Sequence, residues 1–305
     1  MKEKIPIGFF GYGTRALDAL MVHPAFDVRY NWAPEKCLCN DVYEADKRYK
    51  EKVPLQIIKN RNDLLTQLKK VNDVRCFLMN ASPIILTKPI LDLMDFYNIH
   101  PGNLANNRGH HPHLWSILLD ESETQINLHS VTPEIDLGNV ISSITLPIQK
   151  EDTSFTLLNR AEDHIGELLS DLAEYLNGRR SAIRCIEEGI YRRKMTYEDY
   201  QINPETSTLA DMDRKIRTRA MHSGAFFAQD GRRYYVDKIL DYKKIPCAIT
   251  PSPMAETLHS PFSLTMEDGI LMLCRKNETF RFRESKITSQ EGTILCDYRV
   301  DAYEK

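Results

Sequence analysis

An alternation of short apolar runs with amphipathic stretches through the first half of the chain limits the fold more than any other feature. IPIGFFG (5–11) reads as a buried strand ending in Gly. Gly11, Tyr12 and Gly13 make a turn, and Thr14 is placed to cap a helix through ALDALMVH. The chain returns as a strand at DVRYNWA (27–33), then gives a helix at DLLTQLKKV (63–71) and a strand at VRCFLMN (74–80). Pro89 breaks PIILTKPILDLM (83–94) into a loop followed by a helix. YNIHP closes another strand, HLWSILLD (113–120) is a helix, and INLHSVT (126–132) and NVISSITLPI (139–148) are strands. DTSFTLLNRAEDHIGELLSDLAEYLNG (152–178) has the period of one long amphipathic helix, capped by Asp152 and ended by Gly178. This βαβ succession predicts an α/β fold with a doubly wound, mainly parallel, Rossmann-like sheet. Such sheets bind ligands at the carboxyl ends of their strands.

The character changes after the long helix. Residues 179–205 are polar and read as a linker, and ADMDRKIRTRAM (210–221) as a short helix. RRYYVDKIL, FSLTM, GILMLCR, TFRFRES and TILCDYRV then follow as strand-like pieces between turns, the pattern of a smaller C-terminal β-barrel-like (OB-like) domain. A chain of 305 residues is long for a single core, so two domains are expected, at 1–200 and 201–305.

Composition narrows the function classes. The chain is 42% apolar and 27% charged, as in ordinary globular proteins, and its net charge of −3 gives no field that would gather nucleic acid or anionic lipid. Its seven cysteines are scattered, and Cys37 and Cys39 have no matching second pair. That pattern predicts free thiols in a reducing compartment rather than a disulfide framework or a zinc ribbon. MKEKIPIGFFGYG lacks the apolar run and cleavage site of a signal peptide, and no run approaches a membrane span. A cytoplasmic location is the resulting expectation.

The candidate chemistry lies in NIHPGNLANNRGHHPHLW (98–115), which holds four of the nine histidines. On a strand, Asn98 and His100 point to one face, and Pro101 and Gly102 end the strand there. An amide donor beside an imidazole suits a reaction in which a carbonyl gains negative charge while a nucleophile loses a proton. Both residues are also ordinary turn formers. LHSVTPEIDLGNVI (128–141) adds Asp136, in a loop able to reach the same point; an Asx turn before Gly138 would use the same residue. Together Asn98, His100 and Asp136 form a proton-handling, oxyanion-stabilising set.

These segments resemble the formyltransferases that use 10-formyltetrahydrofolate. That family carries an N-x-H-P strand end, an R-G-x-x-P turn, H-x-V and D-x-G. Here they are Asn98-Ile99-His100-Pro101, Arg108-Gly109 with Pro112, His129 with Val131, and Asp136 with Gly138. The resemblance covers the first domain. It continues weakly at DRKIRTRAMHSGAFF (213–227) and EDGILMLC (267–274), which look like the barrel domain of methionyl-tRNA and aminoarabinose formyltransferases.

The resemblance implies catalysis by Asn98, His100 and Asp136, with 10-formyltetrahydrofolate as co-substrate. It implies a folate pocket at Ser82, Pro83, Ile84, Ile85 and Leu86 and at Thr132, Pro133, Glu134 and Ile135, largely through backbone, with His129 in support. Gly11, Tyr12, Gly13, Arg108 and Gly109 are the candidates for acceptor binding, the Gly11–Gly13 turn as a seat for a phosphate. The stretch GNLANNRG departs from the family in lacking a Pro after H-P, and His110, His111 and His113 are not family hallmarks. H-H-x-H has no second ligand pair, so no metal is expected; these histidines line the acceptor side or seat Trp115.

Residues 200–305 hold sixteen Lys and Arg against fifteen Asp and Glu, a poor platform for tRNA phosphates. The expected acceptor is therefore a small amine, first a nucleotide-linked amino sugar, with methionyl-tRNA or an amino-acid-derived amine as alternatives. A catalytically silent folate-binding protein is the reading from another class. No nucleic-acid or membrane partner is expected, and a homodimer is the one assembly considered.

Overall fold

Strand and helix alternate in the order the sequence suggests, with several short elements added. The structure, a computed structural model, describes residues 3–185, 188–220, 224–229, 231–244, 262–275 and 278–285. The first unit runs β1 (Ile5–Gly11), α1 (Thr14–Val22), β2 (Phe26–Pro34), α2 (Asn40–Tyr49), β3 (Leu55–Ile58), α3 (Arg61–Leu68), β4 (Cys76–Asn80), α4 (Lys88–Leu91) and β5 (Asp95–His100). It continues through β6 (Arg108–Gly109), α5 (Pro112–Leu118), β7 (Glu123–Ser130), β8 (Asn139–Pro147), α6 (Ser154–Glu162), α7 (Ile165–Leu176) and β9 (Arg184–Cys185). After these come β10 (Tyr191–Arg192), α8 (Tyr197–Tyr200), α9 (Leu209–Thr218), β11 (Ala225–Gln229), β12 (Arg232–Lys243), β13 (Phe262–Glu267), β14 (Ile270–Arg275) and β15 (Glu278–Glu284).

The central sheet has the order β3-β2-β1-β4-β5-β7-β8-β9. From β3 to β5 every pairing is parallel, and from β5 to β9 every pairing is antiparallel. The fold is thus the expected α/β, Rossmann-like one, with an antiparallel flank. Ile5, Ile7 and Phe9 of β1 join Leu78, Ile99 and Leu128 in a core shared with α1 and α7. On the opposite face Phe10, Trp32, Phe77 and Phe96 pack against Leu64, Leu68 and Ile90. Burial on both faces is why β1 and β4 read as nearly continuous apolar runs.

The C-terminal part forms a curled antiparallel sheet in the order β11-β12-β15-β14-β13. Phe227, Leu271, Leu273, Phe280 and Phe282 fill its core with Met212 and Ile216 of α9. The four strand-like pieces from RRYYVDKIL to TFRFRES fall on β12 to β15; TILCDYRV lies outside the described residues.

Several local expectations are corrected. The stretch 152–178 is two helices, because the chain turns at Asp163 and His164 between α6 and α7. Its N-cap is Thr153, whose Oγ1 accepts from the Thr156 N–H at 3.2 Å. Asp152 instead pairs with Arg160 at 3.0 Å. Gly13, not Thr14, occupies the N-cap position of α1. The elements α2 and β3 were not legible: α2 buries only Val42 and Ala45, too little to set a visible period. Residues 179–205 are no loose linker, since β9 extends the main sheet beside β8 and β10 pairs with β6. Cys39 is disulfide-bonded, against the expectation of free thiols throughout; scattered spacing cannot reveal which cysteines the fold brings together. Among the described residues, no helix is long and apolar enough to cross a membrane.

At the end of β1 the backbones of two strands approach so closely that only glycine fits. Gly11 has φ +148°, and an added Cβ would lie 1.8 Å from the Asn80 carbonyl oxygen. Gly11→Ala is expected to cost about 2 kcal/mol or more, by forcing β1 from β4 at the cleft floor. A urea titration would show this as a lower midpoint at unchanged slope, and an unshifted midpoint would refute it.

Candidate active site

The cleft forms where the sheet changes from parallel to antiparallel. Strand β5 lies between β4, parallel, and β7, antiparallel, with Asn98 opposite Met79 on one side and His129 on the other. Asn98 and His100 share a face at the carboxyl end of β5, and both are buried. Asp136 comes from the loop after β7 in a left-handed conformation (φ +53°), which Asp tolerates better than most residues. Its Oδ2 accepts the Gly109 N–H at 2.8 Å and lies 3.5 Å from His100 Nδ1. Its Oδ1 lies 3.5 Å from His129 Nε2.

Hydrogen bonding decides the tautomers. The Asn107 carbonyl oxygen, which can only accept, lies 2.8 Å from His100 Nε2, so that nitrogen carries a proton. The same logic places a proton on His129 Nδ1, 2.9 Å from the Ser130 carbonyl oxygen. His129 Nε2 then accepts from the Asn98 amide at 3.3 Å, which fixes the orientation of that amide.

Burial lowers the pKa of His100, with Asp136 pulling the other way, so at neutral pH the imidazole is uncharged and its Nδ1 carries a lone pair. Burial pushes the Asp136 carboxyl up, but His100, His129 and the Gly109 N–H outweigh it and hold the group ionised, below its ordinary range. The result is a neutral base beside a fixed anion, able to accept a proton at Nδ1 and to have the new charge stabilised.

The surrounding cleft is about 410 Å³. Asn98, His100 and Asp136 line it together with Ser82, Pro83, Ile84, Ile85, Leu86, Thr132, Pro133 and Ile135. Tyr12, Gly13 and Gly109 line it as well, whereas Gly11, Arg108 and Glu134 do not. The Arg108 guanidinium donates to the carbonyls of Ile135 (2.8 Å) and Gly189 (2.7 Å), tying the Asp136 loop to the segment before β10. Among the described residues, no backbone hydrogen bond holds Ser82, Pro83 or Leu86. With Met79 and Val131 beside them, these residues offer an apolar slot edged by available main chain, which fits a flat heteroaromatic ring.

His110, His111 and His113 line the same cleft. Burial lowers all three, His111 to about 3 with help from His110, Arg219 and Lys194, and His113 well below the usual range. Among the described residues, no group of three or more His, Cys, Asp or Glu side chains is placed to hold a metal ion. Trp115 Nε1 donates to the Arg193 carbonyl at 3.0 Å, and the Arg192 and Arg193 guanidiniums each lie 5.6 Å from its ring.

Sequence reasoning missed two sets of residues. Asn107 is fully buried, and its amide donates to Ser116 Oγ (3.0 Å) and Glu121 Oε2 (2.8 Å) while its carbonyl holds His100. No motif marks it. Phe155, Leu158, Asn159 and Glu162 of α6 also line the cleft, with Arg15 of α1. Their i, i+3, i+4, i+7 spacing was there to read, but it reads equally as an ordinary helix face. Burial pushes the Glu162 carboxyl up to about 7, opposed by Arg15 and aided by Asp163.

The fold is similar to that of solved formyltransferases. No protein-family model matches the sequence. A methionyl-tRNA formyltransferase of Bifidobacterium longum is 32% identical over 146 residues, 47% of this chain and 44% of that protein. One of Prochlorococcus marinus is 26% identical over 210 residues, 64% of this chain and 63% of that protein. The chain thus spans about half the length of the curated relatives it matches. HypX of Aquifex aeolicus, solved in complex with tetrahydrofolic acid, superposes with a TM-score of 0.62 at 16% identity, over 93% of this chain and 45% of that one. WlaRD, a sugar 3N-formyl transferase solved in the presence of dTDP and 5-N-formyl-THF, gives 0.60 at 13% identity, over 93% and 99%. The resemblance seen in the motifs therefore extends to the fold.

The electrostatics predict a titration. His100 should stay neutral to below pH 6.5, and Asp136→Asn should lower its midpoint further, because the carboxylate is what raises it. Imidazole NMR shifts would report both; a midpoint that rises in the variant would contradict the assigned coupling.

Proposed function

We propose that the chain transfers the formyl group of 10-formyltetrahydrofolate to the amine of a small acceptor, a nucleotide-linked amino sugar. One observation carries the reading: a neutral imidazole, an oriented amide and a buried carboxylate meet at the switch point of a formyltransferase fold. The acceptor nitrogen attacks the formyl carbon. Asn98 donates to the developing oxyanion, His100 takes the nitrogen's proton at Nδ1, and Asp136 stabilises the imidazolium. Collapse returns that proton to N10 as the C–N bond breaks, leaving formamide and tetrahydrofolate. The pterin occupies the slot between Ser82–Leu86 and Thr132–Ile135, and Tyr12, Gly13 and Gly109 border the acceptor. Residues 1–200 supply this chemistry and 201–305 the smaller β-rich unit.

The balanced charge of residues 200–305 supports a small acceptor over tRNA. The sugar transferase also matches almost end to end, whereas HypX is matched over less than half its length. The curated relatives favour the second reading, methionyl-tRNA.

Asn98→Ala is expected to lower turnover by about 10²–10³-fold through the lost oxyanion donor. His100→Ala should lose at least as much. Both should leave 5-formyltetrahydrofolate affinity unchanged in a calorimetric titration, because the ring is held by main chain. Equal loss of binding and rate would place the two residues in the folate pocket instead. In a competition at physiological salt, a dTDP-linked amino sugar should be formylated far faster than methionyl-tRNA. The reverse preference would make the chain a translation-initiation enzyme.

A further inference from the structure

We propose that Glu162 reads the acceptor: its carboxyl bonds the hydroxyl or amine donors of a sugar ring and keeps phosphate off the wall formed by α1 and α6. The proposal rests on the formyl-transfer reading above and assigns a side chain to its acceptor specificity.

Glu162 ends α6 on the helix face that carries Phe155 and Asn159 into the cleft. Its side chain is only 15% exposed, and the nearest cation, Arg15 Nη1, stands at 3.6 Å, too far for a hydrogen bond. Arg15 is directed elsewhere along α6: Nη1 donates to both the carbonyl and the side-chain oxygen of Asn159 at 3.1 Å, and Nη2 pairs with Asp163. Among the described residues, nothing donates a hydrogen bond to the Glu162 carboxyl. It is a mostly buried acceptor on the cleft wall, with lone pairs that a ligand's donors would fill.

The rest of the wall matches carbohydrate. Phe155 is 40% exposed on the same helix face, an aromatic surface for the C–H face of a ring, with the carboxyl placed for its hydroxyl rim. Burial pushes the carboxyl up to about 7, against the pull of Arg15. A phosphate would meet the opposite of what it needs. The guanidinium at hand is engaged by Asn159 and Asp163, and Glu162 and Asp163 flank it, with Asp41 on the same cleft. Like charge disfavours an anion there, so this wall selects the neutral, donor-rich part of the acceptor.

Calorimetry on the full chain tests this with three probes: 5-formyltetrahydrofolate, dTDP, and a dTDP-linked amino sugar added to the folate-loaded protein. Glu162→Gln should bind the sugar nucleotide about tenfold or more weakly, as for a lost charge-assisted hydrogen bond. It should bind 5-formyltetrahydrofolate as the wild type does and dTDP no more weakly. Phe155→Ala should weaken the sugar nucleotide alone in the same way, which separates a ring-binding wall from a merely folded one. The proposal is overturned if Glu162→Gln binds the sugar nucleotide undiminished, if it loses dTDP equally, or if the folate-loaded wild type binds no amino sugar. Failure of the wild type to bind 5-formyltetrahydrofolate would instead remove the formyl-transfer reading beneath it.

Discussion

An anion kept from water organises the cleft. The Asp136 carboxylate accepts the Gly109 N–H, and two imidazoles stand 3.5 Å from it, each group coming from a different part of the chain. Gly109 belongs to the short strand β6, His100 to β5 and His129 to β7. The left-handed backbone at Asp136 brings its loop back over the sheet to meet them. Leaving such a carboxylate half-satisfied would cost several kcal/mol, so the loop, the strand end and β6 are held as one unit. Rigidity of that kind is what proton transfer requires, since a displaced base loses most of its effect.

The place where this happens follows from sheet topology. Between β4 and β5 the chain crosses over through a loop and the short helix α4, leaving the 82–86 segment at the carboxyl ends of the parallel strands. Between β5 and β7 the direction reverses, so β7 ends beside Tyr97, toward the amino end of β5, and the loop after it folds back over the sheet to Asn98 and His100. Two loops of opposite origin thereby face each other across Asn98 and His100.

Much of this was legible because local patterns agreed with the global fold. The apolar runs of β1 and β4, the period-2 placement of Asn98 and His100, and the paired motifs around His100 and Asp136 each led to the right element. What stayed hidden has a physical cause in each case. The α2 helix carries too little apolar face to show a period. The turn that splits 152–178 leaves the hydrophobic spacing nearly intact, so periodicity alone continues through it. Asn107 acts through its main-chain carbonyl, which no side-chain pattern records. Glu162 looked like one more polar residue on a helix, because burial of a carboxyl depends on neighbours far away in sequence, Arg15 above all.

The segment preceding α8 sets a boundary on how the molecule can be divided. The Ile190 N–H reaches Ala105, β10 pairs with β6, and the Arg192 carbonyl accepts from His110. Tyr191 and Lys194 stand in the cleft lining itself. A cut made just after α7 would keep nearly every strand of the main sheet and still open the cleft on one side. It would also remove Gly189, one of the two carbonyls that hold the Arg108 guanidinium, the other being Ile135 in the Asp136 loop. The smallest fragment that keeps the cleft closed must therefore run past residue 194, and exchange of C-terminal modules, in the laboratory or over evolutionary time, has to occur downstream of this belt.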